Sequence, residues 1–383
     1  MPDLFNTSEY RTPGQLIKDR LEELGWTQRV LAIVLGMDEG GINKIISGKR
    51  PLDASNAIAI GDVLGIEPAK LMAIQADYSL KQAELIERPD PGRATRAKLF
   101  GSLPIADMIK RGWLDAENMR DVPKVESALT KFFGCESAEE IEILPHAAKK
   151  TNVNTPATPA QLAWLYRVRQ IAAEMIVPPY TLKKGQSAVT KLRALRVSAD
   201  AVRKVPRILM ESGIRFVIVE SLPGAKIDGV CFWLNERSPV IGMTLRFDRL
   251  DNFWFVLRHE LEHVIQGHGR EQMMLDAELE GENAGSGADI PEEERVANEA
   301  ASNFCVPEKN MQSFIKRKAP LFSERDLLGF SRSLEIHPGI VVGQLQHKTG
   351  RYEIFRKYLT NVREKVAPSA YIDGWGEIHP VEN

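Results

Sequence analysis

The chain has 383 residues, 43% of them hydrophobic and 27% charged, with a formal net charge of −2. That balance suits a globular protein with room for two or three domains. It excludes a bulk attraction for nucleic acid, so any DNA contact must come from a local basic patch.

Residues 12 to 87 predict five short helices joined by tight turns. "PGQLIKDRLEELGW" places Leu16, Ile17, Leu21 and Leu24 at helical spacing and stops at Gly25. "TQRVLAIVLGM" opens at Thr27, a good N-cap, and ends near Gly36. "DEGGINKIISGK" runs from Asp38 to Gly48, and "DASNAIAIGDVLGI" from Asp53 or Ser55 to Gly65. A fifth helix, "EPAKLMAIQADYSLKQAELI", carries Pro68 in its first turn. "ERPDPGR", residues 87 to 93, then reads as a linker.

Residues 94 to about 150 read as helical, with Trp113, Phe132 and Phe133 as core. "KKTNVNTPATPAQ" is a second turn-rich break. The stretch from 160 to 212 is again helical. At 215 the pattern changes to three strands, "RFVIVESL", "GVCFWLN" and "PVIGMTLRF", followed by a helix over 251–267 and a loop, "GENAGSGADIP". The expected regions are therefore 1–87, a helical middle region over 88–205, an α+β domain over 206–350 and a C-terminal extension over 351–383. Cys135, Cys231 and Cys305 show no CxxC spacing, which argues against a disulfide framework and a cysteine zinc site. The N-terminus lacks the basic-then-apolar order of a signal peptide. No window reaches the roughly 18 apolar residues of a membrane span. The expectation is a cytoplasmic protein.

The second and third helices, joined by "GMDEG", have the spacing of a helix-turn-helix, whose second helix enters the major groove. Thr27 and Gln28 open the first of the pair. Asn43, Lys44 and Ser47 would be exposed on the second, followed by the basic turn Lys49–Arg50. Asn and Gln suit adenine edges, and Lys and Arg suit guanine edges or phosphates. The segment from "PGQLIKDRLEELGW" through "INKIISGKRPLD" to "LMAIQADYSL" resembles the Cro/C1-type (XRE) helix-turn-helix, and within it the HigA-like antitoxins. The resemblance covers roughly the first 85 residues and implies promoter DNA as a partner. It departs from the family at "DEGG", where a Ser- or Thr-rich start is common. There Asp38 and Glu39 repel phosphate, and Gly40 and Gly41 each weaken a helix by about 1 kcal/mol relative to Ala. A homodimer is expected, because two-fold operators are read by dimers.

"FWFVLRHELEHVIQGHG", residues 253 to 269, places two histidines and two glutamates behind an apolar half-helix. His259 and His263, four apart, share a helix face and can both reach one ion. Glu260 is turned by about 100° from His259, where a carboxylate can take a proton from a metal-bound water. Glu262 should face away. A bare HExxH arises by chance, but charge on a buried helix is costly unless compensated, and a cation compensates it.

A catalytic zinc site needs a third protein ligand. The spacing HExxHxxGxxH is not met, and His268 reads as a helix C-terminal residue. The acidic helix "PEEERVANEAASNF" is the better donor, with Glu294 as ligand and Asn298, on the same face, hydrogen-bonding a ligating histidine. His337 is the candidate to stabilise the oxyanion, ahead of His347 and Tyr352. "VCFWLN" or "VIGMTLRF" could pair with an extended peptide substrate.

The segment from "GIRFVIVESL" to "LRHELEHV", with "ERVANEAASNFCVP" downstream, resembles the ImmA/IrrE metallopeptidases over about residues 205 to 350. The resemblance implies a zincin-like α+β fold, one Zn2+ on His259, His263 and Glu294, and Glu260 as general base. This chain has Glu262 where glycine is usual and Ala300 where an aromatic is usual.

A DNA reader joined to a peptidase predicts a regulator or antitoxin-like protein. Its peptidase would cleave a partner protein or the chain itself, for instance near "ERPDPGR" or "KKTNVNTPATPAQ". The alternative is a non-enzymatic, HigA-like antitoxin that binds promoter DNA and a cognate toxin, with the metal domain as a scaffold.

Overall fold

Side-chain caps set where the N-terminal helices begin. In the computed structural model, which describes residues 10–86, 92–141, 148–150, 157–270, 273–277 and 291–373, Thr12 caps α1 (Pro13–Glu23) and Thr27 caps α2 (Gln28–Leu35). Asp38 caps α3 (Glu39–Ile46) and Asp53 caps α4 (Ala54–Leu64). Each cap accepts a backbone N–H that would otherwise have no helical partner. Asp38 is why "DEGG" still starts a helix: its Oδ2 accepts the Gly41 N–H at 3.0 Å.

α5 (Pro68–Ile86) completes the first of two compact units, Met1–Pro91. Its core is the apolar stripe of all five helices, including Ile17, Leu21, Leu31, Ile42, Ile45, Ile60, Leu64, Leu71 and Ile74. Leu24, expected on that stripe, is instead the C-cap of α1 and is exposed.

The second unit, Gly92–Asn383, opens with α6 (Arg93–Ser102), α7 (Ile105–Lys110), α8 (Val122–Phe133) and α9 (Ala138–Ile141). Then come β1 (Ala148–Lys150), α10 (Pro159–Glu174), α11 (Leu182–Leu195) and α12 (Val205–Glu211). The three expected strands form as β2 (Arg215–Val219), β3 (Ile227–Trp233) and β4 (Pro239–Met243), and α13 (Leu250–Gln266) follows. Beyond it lie β5 (Met273–Ala277), α14 (Glu292–Cys305), α15 (Glu308–Lys318), α16 (Glu324–Leu334), α17 (Pro338–Thr349) and β6 (Tyr371–Asp373).

The strands form one mixed sheet in the order β1-β5-β3-β4-β2-β6. β3 runs antiparallel to β4 and β5, while β2 runs parallel to β4 and β6, and β1 parallel to β5. Three expectations are corrected here. Residues 148–150, read as the end of a helical stretch, are a strand, because β5 supplies a backbone partner that no local pattern announces. The sheet is twice as wide as the three strands anticipated. Neither β3 nor β4 is an edge; both have neighbours on each side, and the edges among the described residues are β1 and β6. The segment "ERPDPGR" (up to residue 91), the centre of "KKTNVNTPATPAQ" and residues 281–290 of the "GENAGSGADIP" loop lie outside the described residues.

β2, β3 and β4 are apolar at nearly every position because both faces of the sheet are covered. Phe216, Ile218, Cys231, Ile241 and Met243 belong to one core, with α13, α14 and α17. Val217, Val219, Val230, Phe232 and Val240 belong to the other, with α8 and α10. The helical middle region thus supplies one whole layer of this unit. Trp164 of α10 donates Nε1–H to the Val219 carbonyl at 3.0 Å, and Gln161 donates to the Ala225 carbonyl at 2.8 Å. The C-terminal segment contributes β6, tied to α10 by the Arg167–Asp373 ion pair.

Candidate metal centre and DNA-reading face

α13 is buried along almost its whole length, with the sheet on one side and α14 and α17 on others. Polar side chains inside such a helix need partners, and those of His259 and His263 are found on α14. Glu294, Ala297, Ala301 and Phe304 are buried at helical spacing on that helix. The two small alanines let its backbone approach α13 closely.

The result is a cluster of His259, His263 and Glu294, all 0% exposed, whose ligand-type atoms lie within 4.8 Å of one another. The His259 and His263 Nε2 atoms are 3.0 Å apart. Glu294 Oε2 is 3.3 Å from His259 Nε2, and its Oε1 is 3.3 Å from His263 Nε2. Donors about 2.0–2.1 Å from a tetrahedral zinc stand about 3.3 Å from one another, so donor types and spacing both fit a divalent ion. Among the described residues this is the one group of three or more such side chains with metal-binding spacing.

Each imidazole has a partner on its other nitrogen. Asn298, one turn beyond Glu294, places Oδ1 3.1 Å from His259 Nδ1. As an acceptor it holds the proton on Nδ1 and leaves Nε2 for a metal. His263 Nδ1 meets His268 Nδ1 at 3.0 Å.

Glu260 is buried beside this cluster in sequence but is not a member of it. Its carboxylate lies against β3 at Gly229, where a Cβ would stand 2.0 Å from Oε1. Gly229 was missed by sequence reasoning, although a glycine inside a strand is the recognised mark of a close approach. Glu262 turns away as expected, bonded by Arg258 at 2.6 Å and Gln266 at 2.7 Å. Burial pushes its carboxyl up, but the bonds from Gln266 and Arg258, together with the nearby charge of Arg258 and of His263, hold it below the ordinary carboxylate range.

His337, the expected oxyanion stabiliser, is not in the cluster. It is the N-cap of α17, its Nδ1 accepting the Gly339 N–H at 3.0 Å, and its backbone N–H donates to the Arg196 carbonyl. Burial holds its pKa below the ordinary imidazole value, helped by Lys365 and opposed by Asp200. An imidazole used as a cap is committed elsewhere. His347 lies in the last turn of α17, and Tyr352 lines a surface cavity of about 410 Å³ with Arg249, Gln346 and Arg356.

In the first unit, Asn43, Lys44, Ser47, Lys49 and Arg50 are all exposed on α3 and the turn after it. Thr27 is exposed but its hydroxyl is taken by the Val30 N–H, and Gln28 is half-buried. The glycines that end α2, α3 and α4 (Gly36, Gly48 and Gly65) have φ of +63°, +72° and +64°, a region that favours glycine.

A helix-turn-helix family model matches residues 17–71, from within α1 to the first turn of α5. No curated protein matches the chain. No helix among the described residues is long and apolar enough to cross a membrane. The N-terminal unit is an XRE-type helix-turn-helix, the kind of module with which regulators bind DNA.

Proposed function

We propose that this chain is a DNA-binding regulator whose second unit is a zinc-dependent endopeptidase of the ImmA/IrrE kind, acting on a partner protein or on the chain itself. The observation that carries the reading is the buried set His259, His263 and Glu294 with a further buried carboxylate, Glu260, directly after His259 on α13. A scaffold site needs the three ligands and has no use for a second buried acid beside Glu294. A zinc ion bound there would lower the pKa of its water to about 7 and polarise a scissile carbonyl. Glu260 would take the proton released as the water oxygen bonds to the carbonyl carbon. As the C–N bond breaks, it would pass that proton to the leaving amine. Asn298 keeps His259 in the tautomer that offers Nε2. The helix-turn-helix would bring this chemistry to a promoter, as a homodimer.

The test compares the full-length chain with Glu260→Gln, each analysed for bound metal and each incubated with zinc or with a chelator. Expected is metal in both proteins. A cleavage product of the chain or of a co-purified protein should form in the wild type and fall by about 10²–10⁴-fold in the variant. Metal in both with identical, intact chains would overturn the peptidase and leave the scaffold reading of a HigA-like antitoxin.

A further inference from the structure

His268 stands just past the end of α13 and outside the ligand cluster, yet its Nδ1 meets His263 Nδ1 at 3.0 Å. Two imidazole nitrogens at that distance cannot both be protonated, nor both bare, if they are to bond. His263 turns Nε2 toward His259 Nε2 and Glu294 Oε1, at 3.0 Å and 3.3 Å. Offering that nitrogen as a ligand puts the His263 proton on Nδ1. His263 must then donate, and His268 must accept with a bare Nδ1 and carry its own proton on Nε2.

The backbone is built to hold His268 in that role. Gly267, φ +77°, ends α13 in the left-handed conformation. This turns the chain so that the His268 N–H donates to the His263 carbonyl at 2.9 Å. The His268 carbonyl accepts Nε1–H of Trp233 at 2.8 Å. Gly269, φ +78°, runs so close to β3 that a Cβ there would stand 2.7 Å from the Cys231 carbonyl oxygen. A histidine flanked by two left-handed glycines and bonded to both α13 and β3 has little freedom to swing away.

We infer that His268 is a positioning residue for the metal centre, the acceptor that fixes the tautomer and ring orientation of His263 as Asn298 does for His259. The inference deepens the proposed function and rests on its metal centre. Partners of this kind hold ligands in place, and their loss weakens metal binding by about 10–100-fold.

Zinc affinity of the full-length protein, stripped of metal and titrated against a chromophoric chelator of known affinity, tests it. His268→Leu should bind zinc about 10–100-fold more weakly than wild type. His268→Asn, whose Oδ1 can accept in place of Nδ1, should recover most of the loss. Nitrogen-15 spectra of His263 should show the Nδ1–H tautomer in the wild type and in His268→Asn, and exchange between tautomers in His268→Leu. Wild-type affinity in His268→Leu, beside lost binding in His263→Ala, would overturn the inference and leave the metal centre standing. His268→Asn as weak as His268→Leu would also overturn it, since packing alone would then explain the effect. No zinc bound by the wild type would overturn the metal centre, and the inference with it.

Discussion

Gly229 and Glu260 occupy the same place from opposite sides: the strand residue has no side chain where the helix residue puts its carboxylate, and a Cβ on the first would meet Oε1 of the second at 2.0 Å. The close approach couples β3 to the residue proposed as proton carrier. Gly229→Ala should therefore cost about 1–3 kcal/mol, the usual penalty for overfilling a packed interior. In a Glu260→Ala background the same substitution should cost close to nothing, because the atoms it strikes are gone. Thermal or denaturant unfolding of the four proteins checks this. An equal penalty in both backgrounds would show that Gly229 is required for some reason other than Glu260.

The DNA-reading face makes a second, separable prediction. Lys49 and Arg50 are exposed at the end of α3, and the 3.6 Å pair between Arg50 and Asp53 is half in solvent and weak. Lys49→Ala and Arg50→Ala should each weaken binding to duplex DNA and reduce the slope of log K against log salt by about 1. Fluorescence anisotropy over a range of salt concentrations measures both. An unchanged slope would place the phosphate contacts elsewhere on the unit. Neither change should alter zinc binding.

A third concerns pH. Burial holds the His337 imidazole below its usual pKa of 6.5, so the folded state binds fewer protons than the unfolded state just below that value. Stability contributed by the neutral ring is complete above about pH 6.5 and falls as the pH drops through the window below it. Protonation also removes the lone pair that caps Gly339. His337→Asn keeps a capping oxygen and removes the titration. Its stability should fall less steeply than that of wild type between about pH 6.5 and pH 5. His347, depressed by burial and Lys348, remains in the variant and leaves a residual slope of the same sign.

The sequence by itself determined what local geometry determines. Thr27 and Asp38 could be read as helix starts, and Asp53 or Ser55 as another, because a short polar side chain before an apolar period has few other uses; the structure selects Asp53. His259 and His263 could be read as a pair because a helix places residues four apart on one face whatever surrounds it. Glu294 and Asn298 were legible by the same rule, since their relation is also four residues on one helix. Tertiary structure alone decided what depends on separate segments meeting. Packing of α14 on α13 through Ala297 and Ala301 brought the carboxylate to the imidazoles. Long-range pairing gave β1, β5 and β6 their places and enclosed β3 and β4, which no period within three to five residues can encode. The acceptor role of His268 needed Gly267 and Gly269 to bend the chain back onto β3, and His337 was drawn off to cap α17. Spacing along one helix is set by covalent geometry, whereas contact between elements is set by which apolar faces bury one another.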